Sequence, residues 1–221
     1  MPAPARARLA GLVRVFLAEK NFVGCNGVTV DDRMAVVIAA QACVLVLARP
    51  GVPERGLYPQ LRSILVYPEE FLVHEEHEDD DGLVTTGHRV LSGQAWDASR
   101  IILSWADVAD AGDGYNVVLH EFAHYLDVED DITMRAFEED ETESAWGRTL
   151  REEFDRLTAE VDAGMATFLD PYAATDPSEF FAVATEAFFD QSAEFAARHP
   201  ALYRRLVEYY RLDPANWSSA A

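Results

Sequence analysis

Asn116-Val117-Val118-Leu119-His120-Glu121-Phe122-Ala123-His124-Tyr125-Leu126-Asp127 decides how this chain reads. Residues four apart share a helix face, so the imidazoles of His120 and His124 can aim at a single ion. Glu121, beside the first of them, can reach a metal-activated water without occupying the metal. Val117, Val118, Leu119, Phe122, Ala123 and Leu126 supply the apolar stripe of a half-buried helix that begins near Tyr115, after Gly112 and Gly114.

Upstream, residues 6–20 place Leu9, Val13, Phe16 and Leu17 on one helical face. Asp31 is a suitable N-cap for a second helix over about 32–48. That helix carries Val36, Val37, Ile38, Cys43, Val44, Leu45 and Leu47 almost all round and is expected to be central. Residues 63–67, 83–91 and 100–105 have the β-branched or alternating character of strands. Downstream the chain turns helical again over 146–161, 177–189 and 200–210. Helices, a small sheet, then helices predict an α+β fold.

The chain has 221 residues, no internal repeat and no low-complexity linker, so one domain over 1–221 is expected. Its helical N-terminal part covers about 6–60 and its core about 61–212. Arg14, Glu19 and Lys20 interrupt any leader-like apolar run, and no stretch is long enough to span a bilayer, which predicts a cytoplasmic protein without membrane contact. Cys25 and Cys43 are read as thiols, with neither in a paired metal-binding spacing. The formal charge of −21 repels phosphate backbones and argues against direct nucleic-acid binding. Acidic clusters at 75–81, 127–131 and 138–143 read as solvated segments.

Two histidines leave a catalytic metal short of a ligand, since such sites take three protein donors and keep a position for water. The pattern that would add a third histidine is absent, because Asp127 and Asp130 stand where Gly and His would be. His199 precedes Pro200 at an inter-helix turn and is poorly placed. The helix from Pro177 is the better source, because it sets Glu179 and Glu186 among aromatics, two turns apart. Carboxylates are costly to bury there unless paired or metal-bound. Asp176-Pro177-Ser178-Glu179 also fits a capping box, which alone would account for Glu179. On the residues alone, both carboxylates remain candidates.

Several segments together resemble a known family. They are Phe16-Leu17-Ala18-Glu19-Lys20-Asn21-Phe22-Val23-Gly24, Ile38-Ala39-Ala40-Gln41-Ala42-Cys43, Ile64-Leu65-Val66-Tyr67-Pro68, Gly93-Gln94-Ala95-Trp96, the stretch quoted at the outset, and Tyr172-Ala173-Ala174-Thr175-Asp176-Pro177-Ser178-Glu179-Phe180-Phe181-Ala182-Val183. In this order they resemble the Mlc titration factor A family, zinc-dependent peptidases of the gluzincin type. The resemblance implies a mainly helical, zincin-like metallopeptidase domain with a small β-sheet. It also implies one Zn2+ held by His120, His124 and Glu179, with Glu121 as general base. Tyr172, seven residues before Glu179, is implied to stand beside the metal and donate to the developing oxyanion. Glu186 then becomes an outer carboxylate, and Glu186 and Asp127 are candidates to accept the second N–H of a ligand imidazole. The implied activity is hydrolysis of short peptides, of aminopeptidase type. A transcription repressor is implied as a partner by the family name alone.

Overall fold

The computed structural model of the chain describes residues 1–52, 56–69, 98–112, 114–137 and 144–219. The strand expected over 83–91, the Gly93-to-Trp96 segment and the acidic clusters at 75–81 and 138–143 lie outside the described residues.

Helix α1 (Ala3–Glu19) buries Leu12 and Phe16, and of the expected stripe Leu9, Val13 and Leu17 are only half-buried against the core. It stops at Lys20, whose buried ammonium donates to the carbonyls of Tyr58 and Leu61, each at 2.9 Å. Strand β1 (Asn21–Gly24) follows, and a Cβ on Gly24 would stand 2.0 Å from the Val28 carbonyl oxygen, so only glycine fits there. Helix α2 (Asp32–Leu45) is capped by Asp31, which accepts from the Met34 amide at 2.8 Å. It ends at Leu45, short of the expected end near 48, and the chain then turns toward Pro50.

Strands β1, β2 (Ser63–Tyr67) and β3 (Arg100–Ser104) form a parallel sheet in that order, with Asn21 opposite Ser63 and Ser63 opposite Arg100. Parallel neighbours need crossovers, and α2 lies within the first of them. Ile64 and Val66 on β2, and Ile101 and Leu103 on β3, point into the core. Short helix α3 (Trp105–Ala109) leads toward the motif helix α4 (Val117–Asp130), and α5 (Ile132–Phe137) follows it. Helices α6 (Ala145–Asp162), α7 (Pro177–Asp190), α8 (Ser192–Arg198) and α9 (Pro200–Tyr210) complete the α-helices among the described residues. The chain is therefore a mainly helical α+β domain, as expected.

The rear of α4 fixes its rotation. Phe122 and Tyr125 pack edge-on against the Tyr58 ring at centroid separations of 4.8 and 5.1 Å, with Phe16 behind Phe122 at 5.9 Å. The Tyr58 hydroxyl donates to the Ala42 carbonyl at 2.7 Å, and the Tyr125 hydroxyl accepts from the Gln60 amide at 2.9 Å. Burying each such ring contributes roughly 1.5–3 kcal/mol. Because these aromatics hold one face of α4 against α2 and the sheet, the face bearing His120 and His124 is turned toward α7. Helix α7 is buried without a break from Glu179 to Phe188. That buried stretch has no polar stripe, and its two carboxylates, Glu179 and Glu186, must therefore find partners inside the protein.

Candidate metal centre

Helix α4 begins at Asn116, whose side-chain oxygen accepts from the Leu119 amide at 3.2 Å. One turn in, His120 and His124 project side by side, with ring centroids 4.7 Å apart and their Nε2 atoms at 3.1 Å. Helix α7 starts opposite them. Pro177 occupies its first position, where a missing N–H costs nothing, and Asp176 caps it by accepting from the amides of Ser178 at 2.8 Å and Glu179 at 3.0 Å. Capping is thus done by Asp176, and the Glu179 carboxylate is left free to turn inward. Its Oε2 lies 3.0 Å from His120 Nε2 and 3.4 Å from His124 Nε2.

That oxygen is buried and lacks a well-aligned hydrogen-bond partner. Donor atoms about 2.0–2.1 Å from a tetrahedral ion stand roughly 3.3 Å from one another. The separations of 3.0, 3.1 and 3.4 Å among the two Nε2 atoms and Glu179 Oε2 are close to that spacing. Two imidazole nitrogens and a carboxylate oxygen converging at this spacing form a site suited to a cation. Among the described residues, His120, His124 and Glu179 are the group that could hold a metal ion.

The electrostatics agree. Burial opposes charge on His120, but the carboxylates of Glu179 and Glu186, with Glu121 nearby, outweigh it and raise the ring to about 10. Burial would likewise raise Glu179, yet His120 and His124 hold it well below the usual carboxylate range. The pocket stabilises positive charge at the point where the three donors meet, and a proton there occupies the place a cation would take.

Glu186 sits two turns along α7 and does not join that point. Its Oε1 lies 2.8 Å from His120 Nδ1, and its Oε2 accepts from the Asn116 amide. An ionised carboxylate only accepts, so His120 carries a hydrogen on Nδ1, and Nε2, where a cation would replace a proton, is the nitrogen that faces Glu179. This is the orienting role expected of Glu186. Asp127 differs from expectation, because it touches neither imidazole. His124 Nδ1 instead lies 3.0 Å from Ser178 Oγ, which donates to Asp127 Oδ2 at 2.8 Å. One helical turn from His124 to Asp127 leaves the shorter carboxylate a hydroxyl's width away.

Glu121 is partly buried on α4. Burial raises its carboxyl above the ordinary range, against the pull of His120 and His124. Tyr172 belongs to a short 3₁₀ turn (Pro171–Ala174) whose amide at Tyr172 is held by Asp170 Oδ1 at 2.8 Å. Its ring faces His120 with centroids 6.3 Å apart, and its phenol interacts with Glu179. Burial first, and then the Glu179 charge, push that phenol well above its usual range, so it stays a hydrogen-bond donor. The structure therefore brings His120, Glu121, His124, Tyr172 and Glu179 into one cluster. Ser178 and Thr133, which grips Asp127, were invisible in sequence because their partners are distant in the chain or carry no motif.

A family model described as "Glucose-regulated metallo-peptidase M90" matches residues 1–211. The chain belongs to this metallopeptidase family. It is 38% identical over 216 residues to a protein of Synechocystis sp. named only as uncharacterized, covering 95% of this chain and 77% of that one. It is 37% identical over 223 residues to Mlc titration factor A of Salmonella arizonae, covering 97% of this chain and 86% of the relative. The protein of that name from Salmonella paratyphi B is 36% identical, with 97% and 82% covered. No helix among the described residues is long and apolar enough to cross a membrane.

Proposed function

We propose that this metallopeptidase-family chain is a zinc-dependent hydrolase of short peptides, of aminopeptidase type, acting in the cytoplasm. The observation that carries the proposal is the buried, unpartnered Glu179 Oε2 meeting two imidazole Nε2 atoms beside an unligated carboxylate, Glu121. In this reading His120, His124 and Glu179 hold one Zn2+, which acts as a Lewis acid and lowers the pKa of water toward neutrality. Two His and one carboxylate suit Zn2+ better than a hard cation that prefers an all-oxygen cage.

The chain's own residues supply the remaining chemistry. Glu121 takes a proton from the attacking water as its oxygen bonds to the scissile carbonyl carbon. The raised affinity of Glu121 for protons suits a group that must accept one and give it back. As the C–N bond breaks, Glu121 returns that proton to the leaving amine. Tyr172 donates to the carbonyl oxygen as it gains negative charge, an interaction made mainly in the transition state. A net charge of −21 favours substrates that present a free α-ammonium. Retention of Glu121 argues against a purely structural metal site, which has no use for a base and closes with four protein ligands.

A second reading has an observation of its own: relatives covered over most of their length are named Mlc titration factor A. It assigns the chain a transcription-repressor protein as partner, with catalysis secondary. One experiment separates the two. A panel of N-terminally free and blocked peptide amides is incubated with the protein before and after chelation. Chelator-sensitive cleavage confined to free N-termini supports the aminopeptidase; cleavage of both kinds overturns that specificity, and cleavage of neither overturns the peptidase. Co-purification with a DNA-binding repressor supports the second reading.

A further inference from the structure

The two ligand imidazoles are held by different devices. His120 meets a carboxylate directly, whereas His124 meets a hydroxyl with a carboxylate behind it. Asp127 is buried, and its oxygens accept from the Thr133 amide at 2.7 Å and from the Thr133 hydroxyl at 2.9 and 2.7 Å, as well as from Ser178. Each of these hydrogen bonds is accepted by the Asp127 carboxylate. Ser178 has one hydroxyl hydrogen, and a buried carboxylate is its strongest acceptor. Committed to Asp127, that hydrogen leaves Ser178 Oγ only lone pairs to offer His124. The 3.0 Å contact then requires a hydrogen on His124 Nδ1, which leaves Nε2 bare on the side facing Glu179.

We propose that Asp127 and Ser178 form a hydroxyl-bridged relay that selects the metal-binding tautomer of His124, with Ser178 as the positioning residue. The proposal rests on reading His124 as a metal ligand. Its geometry also ties two donors together: Ser178 and Glu179 are consecutive at the start of α7, both held by the Asp176 cap. The turn that delivers the Glu179 carboxylate thus delivers the hydroxyl that orients His124. Thr133, at the start of α5, anchors the far end of the relay.

Ser178→Ala removes only the hydroxyl. The backbone amide that Asp176 caps is kept, so the helix start is retained. Zinc affinity by competition with a chromophoric chelator is compared among wild type, Ser178→Ala and Ser178→Thr, with imidazole 15N NMR on the metal-free proteins. The alanine variant is expected to bind zinc about 10- to 100-fold more weakly, the usual cost of losing such an orienting partner. The threonine variant, which keeps the hydroxyl, is expected to regain most of that loss. In metal-free wild type the His124 proton is expected on Nδ1. Undiminished affinity in Ser178→Ala, threonine no better than alanine, or the His124 proton on Nε2 in wild type each overturns the relay. A wild type that binds no zinc contradicts the metal reading alone, while the NMR arm still decides the relay.

Discussion

Replacing Glu186 by Gln changes one oxygen into an amide nitrogen and separates metal binding from folding. Glu186 accepts twice, from His120 Nδ1 at 2.8 Å and from the Asn116 amide. A glutamine offers one acceptor and one donor, so one partner must meet an NH2 group. The Asn116 amide cannot change its character, because its N–H is fixed in the backbone. The imidazole can. With the glutamine oxygen on Asn116, the glutamine NH2 faces His120 Nδ1, and the ring adapts by giving up its Nδ1 hydrogen and keeping the one on Nε2. That tautomer satisfies the buried groups but covers the lone pair that faces Glu179. Zinc affinity is therefore expected to fall by about 10- to 100-fold, the range for loss of such a partner. This corresponds to about 1.4–2.7 kcal/mol. The metal-free protein loses less, since no buried donor is left unpaired. Glu186→Ala, by contrast, strands two donors in the interior at about 1–3 kcal/mol each. Chelator competition gives the affinities, and thermal melts of the metal-free proteins give the stabilities. Glu186→Gln with wild-type zinc affinity, or with a stability loss as large as that of Glu186→Ala, would refute the tautomer reasoning.

Other outcomes follow from the same geometry. Glu179→Ala is expected to lose zinc on passage through a weak chelator; retained metal would return Glu186 to the ligand role. Tyr172→Phe should keep zinc and lose on the order of a hundredfold in turnover, as when one oxyanion donor is removed. Unchanged turnover would make Tyr172 a packing residue. Cys43 is buried and its thiol is pushed up to about 12 by desolvation. The folded state therefore holds a proton that the unfolded chain releases near pH 8.5, so this contribution is complete below about pH 8.5 and is lost as pH rises toward 12. In urea titrations between pH 9.5 and 10.5, wild type should lose up to about 1.4 kcal/mol per pH unit more than Cys43→Ala. Parallel pH curves would contradict it.

Much of the fold could be read from sequence wherever local signals and packing agree. Strand β2 occupies residues 63–67 as expected, and α7 begins at Pro177 because Asp176 and Pro177 form a cap that tertiary contacts reinforce. Strand β1 was not anticipated. It has four residues, none of them buried, so no alternation marks it, and the ladder to β2 defines it instead. Helices α3, α5 and α8 are too short to display a period. In the site, the spacing of His120 and His124 gave two donors and a base through helix geometry alone. Separating Glu179 from Glu186 required knowing which face of α7 meets α4, and the residues left that open until the family resemblance and then the geometry placed Glu179 at the convergence point. Asp127 was read both as part of a solvated segment and as a candidate acceptor for an imidazole; it is buried and reaches His124 through Ser178, and a hydroxyl bridge between residues 51 apart leaves no periodic trace.

In the proposed mechanism Glu121 works as a base beside a metal it does not bind. Zinc content and peptide turnover measured together on Glu121→Gln address it directly. Zinc is expected to be retained at the wild-type stoichiometry and turnover to fall at least roughly a hundredfold, the lower end for losing a general base. Turnover equal to wild type, or loss of zinc along with activity, would contradict it.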